Sequence, residues 1–151
     1  MSDLVGTPAP DFTLVNQHGT PITLSELRGT PVLVVFIPFA FSPLCTSEII
    51  DLRDAGEIGE DETVRVLTVS CDSVFANRAW TDSTQYERDV LSDFWPHGEV
   101  CRAYGVFEEE KGRAVRASFL VDAEGVITWA VVNDADHVRD VRDYVGAIAS
   151  L

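Results

Sequence analysis

The sequence predicts an α/β fold: a mixed central sheet flanked by helices, with a hairpin at its N-terminal end. Three observations carry that prediction. Residues 32–37 and 64–70 are apolar, β-branch-rich runs, as central strands buried on both faces should be. A helical rhythm lies between them, so these strands pair in parallel through a crossover. ASFLVD and VITWAVV, joined by the turn Ala123-Glu124-Gly125, form an antiparallel hairpin, and an amphipathic helix closes the chain.

Taken in order, DFTLV and PITL alternate around the turn NQHG and form the first hairpin. Ser25 then caps a short helical turn, SELR, stopped by Gly29. After the strand at 32–37, a helix follows Ser42, with Ile49, Leu52 and Ala55 on its apolar face and an end near Gly56 or Gly59. Glu48, Asp51, Asp54 and Glu57 make its other face acidic. The next helix starts at about Ser73 and runs into the low eighties, with Phe75, Ala79 and Trp80 as its apolar residues. VLSD reads as a short strand, and Pro96 opens a short helix through Tyr104 that Gly105 ends. In the last helix Val138, Val141, Val145, Ile148 and Ala149 form one stripe, with Arg139, Asp140, Arg142 and Asp143 on the wet side.

With 151 residues and no visible linker or repeat, the chain reads as a single domain over 1–151. Its 25 acidic against 11 basic residues give a formal charge of -14, a surface that repels nucleic acid and anionic membranes. No basic stretch followed by an apolar run opens the sequence, and the longest run without a polar residue, 32–41, is broken by Pro38 and too short to span a bilayer. The expectation is a protein of the reducing cytoplasm. Cys45, Cys71 and Cys101 have no metal-site spacing, and at least one of the three must be free. For any one of them the ordinary role is that of a small buried hydrophobe.

The stretch PFAFSPLC offers Cys45 something more. Ser42 is a good N-cap and Pro43 suits the first helical position, which makes Cys45 the third residue of the helix. First-turn amides have no partner inside a helix, and the field there favours a thiolate. Lowering a thiol from about 8.5 to about 6 takes roughly 3.4 kcal/mol. A helix terminus supplies about 0.3 to 1 kcal/mol, or about 2 when sheltered. A cation must therefore help. Arg53 lies two turns along the helix, too far for contact. Arg116, just before the apolar strand ASFLVD, is the better placed fork of donors, although an isolated arginine is ordinarily a surface residue.

Pro38, Ser42 and Cys45 match the peroxiredoxin pattern of proline, three residues, threonine or serine, two residues, peroxidatic cysteine. Glu48 fits its common extension, and GTPAPDFTL, LSDFWPHGEVCRAYGVF and ASFLVDAEGVI extend the resemblance over nearly the whole chain. The middle block resembles the actinobacterial alkyl hydroperoxide reductase E (AhpE) subgroup, whose members turn over with one cysteine. The resemblance implies a thioredoxin-like fold, a homodimer, and thiol-dependent reduction of hydrogen peroxide, organic hydroperoxides or peroxynitrite through a cysteine sulfenic acid, with no cofactor or metal.

It also implies roles. Cys45, ionised and open to a small oxidant, is the nucleophile. Arg116 stabilises the thiolate and the transition state, Ser42 donates a hydrogen bond to the peroxide, and Pro38 shapes the pocket. Glu48 orients Arg116, and Trp80 is a pocket-side aromatic or a core residue. Ile50, where a two-cysteine helix would carry cysteine, rules out that arrangement. Cys71 follows the second central strand and can stand near Cys45 as a resolving partner, with a structural role the preferred reading; Cys101 reads as structural. The implied reductants are a small thiol such as mycothiol and a mycoredoxin- or thioredoxin-like protein. A thiol–disulfide oxidoreductase fits less well, because it uses two cysteines separated by two residues and position 48 is glutamate.

Overall fold

The structure is a computed structural model that describes residues 2–56, 58 and 63–151. Its centre is a seven-stranded mixed sheet in the order β2-β1-β5-β4-β3-β8-β9. The strands are β1 (Thr13–Val15), β2 (Pro21–Thr23), β3 (Val32–Phe36), β4 (Arg65–Ser70), β5 (Asp89–Ser92), β8 (Arg116–Val121) and β9 (Ile127–Asn133). β3, β4 and β5 pair in parallel, as strands joined by crossover helices must; the other pairings are antiparallel. A separate ribbon, β6 (Phe107–Glu108) with β7 (Arg113–Ala114), completes the strands. This is the mixed sheet with an N-terminal hairpin that the sequence predicts, in a thioredoxin-like α/β arrangement.

Side chains alternate across β3 and so feed two separate cores. Val32, Val34 and Phe36 pack on one face with Phe119, Tyr104, Val100, Cys71 and Cys101. Leu33, Val35 and Ile37 pack on the other with Cys45, Ile49, Leu52, Trp80 and Tyr144. That second face is covered by α1 (Pro43–Asp54), α2 (Val74–Thr84) and α4 (Val141–Ala149), while α3 (Glu99–Ala103) covers the first.

Local departures from the sequence reading have local causes. The turn after β2 is a 3-10 helix at Leu24–Leu27 entered from Thr23; Ser25 does not cap it but donates its amide to Asp11 Oδ1 at 2.9 Å. α1 ends at Asp54 with Ala55 as its cap, and the alternative end at Gly59 lies outside the described residues, as does Glu57. β5 runs Asp89–Ser92, one residue earlier than VLSD. Phe75 is exposed instead of apolar-facing on α2.

The short third helix begins at Glu99, not at Pro96. Gly98 enters it at φ 74, where a Cβ would stand 2.3 Å from the Phe107 ring, so only glycine serves. The terminal helix begins at Val141, because Asp140 caps it by accepting the Arg142 amide. Residues 138–140 therefore precede the helix. Val138 is exposed, and Arg139, expected on the wet side, is 8% exposed and turned into the protein.

Candidate active site

The site begins where β3 stops. The Ile37 amide still bonds to Val69 O at 3.0 Å, and then Pro38 ends the ladder. The loop that follows is tightly held. The Ala40 amide donates to Asp72 Oδ2 at 2.8 Å, and Phe41 adopts φ 70, a left-handed conformation unusual for a bulky residue. The turn thus delivers Ser42 in an extended conformation at the N-cap of α1, with Pro43 first in the helix and Cys45 third. Ser42 Oγ accepts the Cys45 amide at 3.4 Å.

Cys45 is 0% exposed, packed among Ile37, Ala40 and Ile49 on the second face. The sulfur expected to be open to a small oxidant thus has no exposed surface in this structure. One turn on, Glu48 is buried too, which corrects its placement on an acidic solvent face. It is the centre of an ion cluster. Arg139 donates from Nη2 to Oε1 and from both Nε and its backbone amide to Oε2, each at 2.8 Å. Arg116, at the start of β8, donates from Nη1 to the same Oε1 and from Nε to Ala135 O at 2.5 Å. The remaining donor capacity of Arg139 goes to backbone: Nη1 reaches Phe36 O at 2.7 Å and Ala117 O at 2.8 Å, with Ser118 Oγ at 3.1 Å.

Burial is the largest influence on Glu48 and opposes its charge. The hydrogen bonds and charge of Arg139, with the charge of Arg116, together outweigh it and hold the carboxyl below its ordinary value. Burial likewise opposes the Arg139 charge most strongly; the hydrogen bond and charge of Glu48 help to reverse it and raise the guanidinium above its usual value. Cys45 is buried one helical turn before the glutamate that both arginines hold. The cluster itself holds two guanidinium groups against one carboxylate, an excess of one positive charge.

A cavity of about 570 Å³ opens at the start of α1, lined by Pro38, Phe39, Ser42, Pro43, Leu44 and Arg116 among others. Pro38, Ser42 and Arg116 therefore share one pocket, with Cys45 the next residue after its wall. Trp80 does not line it. The indole is in the core and donates Nε1–H to Thr46 Oγ1 at 3.1 Å, bracing the residue after the cysteine. The aromatic at the pocket is Phe39, over whose ring the Arg113 guanidinium sits 5.5 Å from the centroid. Arg53 is engaged elsewhere, on Asp54 and Thr84 O. Cys71 is on the opposite face of the sheet from Cys45, with its sulfur 3.8 Å from Cys101 Sγ.

Arg139 is the residue that sequence reasoning missed. Its only signal was position: an arginine two residues before a helix, followed at once by an aspartate able to cap it.

Comparison with known proteins adds an independent line. The model of the AhpC/TSA family matches residues 5–130. Alkyl hydroperoxide reductase E of Mycobacterium tuberculosis is 40% identical over 148 residues, covering 97% of each chain. A peroxiredoxin of Thermoplasma volcanium is 33% identical over 161 residues, 100% of this chain and 76% of its own. Among solved structures, AhpC of Enterococcus faecalis superposes with a TM-score of 0.89 at 28% identity, over 99% of this chain and 92% of that one. The reduced 2-Cys peroxiredoxin of Plasmodium vivax gives 0.87 at 26% identity, over 97% and 80%.

Proposed function

Because the chain belongs to the AhpC/TSA family of peroxiredoxins and is on that ground a thiol-dependent peroxidase, we propose that Cys45 is its peroxidatic nucleophile. The Cys45 thiolate attacks one peroxide oxygen, the oxygen–oxygen bond breaks, and water or an alcohol leaves while the sulfur becomes a sulfenic acid. The observation that carries this assignment is the buried Glu48–Arg116–Arg139 cluster, whose excess positive charge calls for an anion within its reach. A thiolate at the third position of α1 meets that need, and the helix end adds to it.

The other roles follow from position. Arg116 belongs both to the cluster and to the cavity wall, where its charge stabilises the oxygen released as the bond breaks. Ser42 lines the same wall and offers a hydroxyl to the peroxide; Pro38 gives the wall its shape. Glu48 orients both arginines. Since the sulfur has no exposed surface, a peroxide in the cavity meets it only when the wall formed by residues 38–44 shifts enough to admit it. Hydrogen peroxide, organic hydroperoxides and peroxynitrite are the proposed substrates. Cys71 has Cys101 for its sulfur neighbour, which favours reduction of the Cys45 sulfenic acid from outside, by a small thiol such as mycothiol and a mycoredoxin- or thioredoxin-like protein in the cytoplasm.

Stopped-flow tryptophan fluorescence of the reduced protein with each peroxide tests the assignment. Wild type responds rapidly and the Cys45→Ser variant does not; equal peroxide consumption by the two would remove Cys45 from the chemistry. The proposed homodimer has a contact surface to match. Phe75 and Trp95, 86% and 82% exposed, share a groove with Phe94 and Val15, a largely apolar patch free of acidic side chains among the described residues, whose only charged lining residue is Arg78, where two strongly acidic chains meet with least repulsion. Sedimentation of wild type as a dimer and of Trp95→Glu as a monomer is expected, and a monomeric wild type would refute it.

A further inference from the structure

On the face of the sheet away from Cys45, two more thiols meet. Cys71 follows directly on β4 and Cys101 lies in α3; their sulfurs are 3.8 Å apart, with an Asp93 carboxylate oxygen within 4.8 Å of both. All three groups are buried, in a core otherwise made of Val100, Leu91, Val69 and Tyr104. The carboxylate is already engaged, because Oδ1 accepts the Val100 amide at 3.1 Å and Oδ2 the Cys101 amide at 2.8 Å. That use as a cap on α3 fixes the helix, and with it Cys101, against the end of β4.

From this juxtaposition we infer that Cys71 and Cys101 form a second redox couple, oxidised by hydrogen peroxide to a disulfide that staples β4 to α3 independently of Cys45. The sulfurs are in contact and need to close by roughly 1.8 Å to reach the bonded distance of about 2.0 Å, a movement within the reach of side-chain rotation. Cys71, 5% exposed against 0% for Cys101, is the sulfur that meets peroxide first. Its attack breaks the oxygen–oxygen bond and gives Cys71 sulfenic acid and one water. Cys101 then attacks the Cys71 sulfur, the sulfur–sulfur bond forms, and hydroxide leaves with the Cys101 proton as a second water. Two thiols and one hydrogen peroxide thus become one disulfide and two waters. The Cys101 thiol is pushed well up, first by its hydrogen bond with Cys71 and next by burial, with the Asp93 charge and hydrogen bond adding to both. It therefore keeps its proton until a sulfenic acid forms beside it.

Both Asp93 oxygens carry amide donors, whereas the two sulfurs have each other.

The inference rests on the peroxidase reading only for the identity of the oxidant. The test treats reduced wild type and Cys45→Ser with hydrogen peroxide, denatures each, alkylates the remaining thiols and maps the peptides by mass spectrometry. In both proteins a Cys71–Cys101 crosslink is expected, with loss of two hydrogens and of both alkylation sites, and dithiothreitol should restore them. Cys71 and Cys101 left fully alkylatable while wild-type Cys45 is oxidised would overturn the inference and leave the peroxidase assignment standing. A Cys45–Cys71 crosslink would overturn it as well. The crosslink without any oxidation at Cys45 would support the inference and refute the Cys45 assignment instead.

Discussion

The sheet buries cysteine on both faces, but in opposite electrical company. Cys45 shares its face with two arginines and one glutamate, all nearly dehydrated and tied to one another. Cys71 and Cys101 share theirs with a single carboxylate and otherwise with aliphatic and aromatic side chains. Exposure does not separate them, since all three are buried. Charge does. On one face stands an excess guanidinium; on the other a buried carboxylate lies beside both sulfurs and the Cys101 thiol is pushed well up. On the proposed reading, the same element in the same protein serves as a lone nucleophile beside buried arginines in one place and as a facing pair of sulfurs in the other.

The contrast breaks most completely at Glu48. Glu48→Gln leaves two buried guanidinium groups without their counter-charge, a change expected to lower stability by about 3–5 kcal/mol, read from urea unfolding. Its pH dependence has a definite sign. The folded carboxyl titrates below its unfolded value of about 4.3, so the stabilisation is complete above that value and is lost as pH falls through the lower folded one. Wild type should therefore lose stability across that acid window, and Glu48→Gln should show a flatter profile there. An equally steep profile in the variant would mean that Glu48 does not anchor the cluster.

Smaller changes sharpen the contrast. Ser42→Ala removes the acceptor for the Cys45 amide and is expected to lower stability by about 1 kcal/mol and to slow the peroxide reaction as well. Tyr104→Phe, on the other face, loses the bond from the phenol to Pro10 O at 2.7 Å. Its expected stability loss is similar, about 0.5–1.5 kcal/mol, with the Cys45 peroxide rate unchanged. Were both variants to slow the peroxide reaction alike, the rate would be following general stability and not the face of the sheet.

Some of this was legible in the residues alone. Ser42 and Pro43 fix the start of a helix by chemistry that needs no tertiary partner, so the register of Cys45 could be read directly. The buried runs at β3, β4 and β8 declare themselves by composition, and with them the sheet. Arg139 could not be read in the same way. Apolar spacing carries the helical stripe smoothly back to Val138, and only the Asp140 cap stops the helix and turns Arg139 inward. The partners of Glu48 come from residues 68 and 91 positions away, and Cys101 is 30 positions from Cys71. Such contacts are set by strand order, which local patterning does not encode. Trp80 shows the remaining difficulty: a large aromatic near a reactive residue serves equally as core or as pocket wall, and only packing decides.

The central claim is that the buried positive charge beside Cys45 makes its sulfur reactive. The second-order rate of Cys45 with hydrogen peroxide, measured by stopped flow in wild type and in Arg139→Gln shown to be folded by circular dichroism, tests it most directly. Each ~1.4 kcal/mol of thiolate and transition-state stabilisation lost is tenfold in rate, and a fall of at least about tenfold is expected. A folded Arg139→Gln that reacts as fast as wild type would contradict the account.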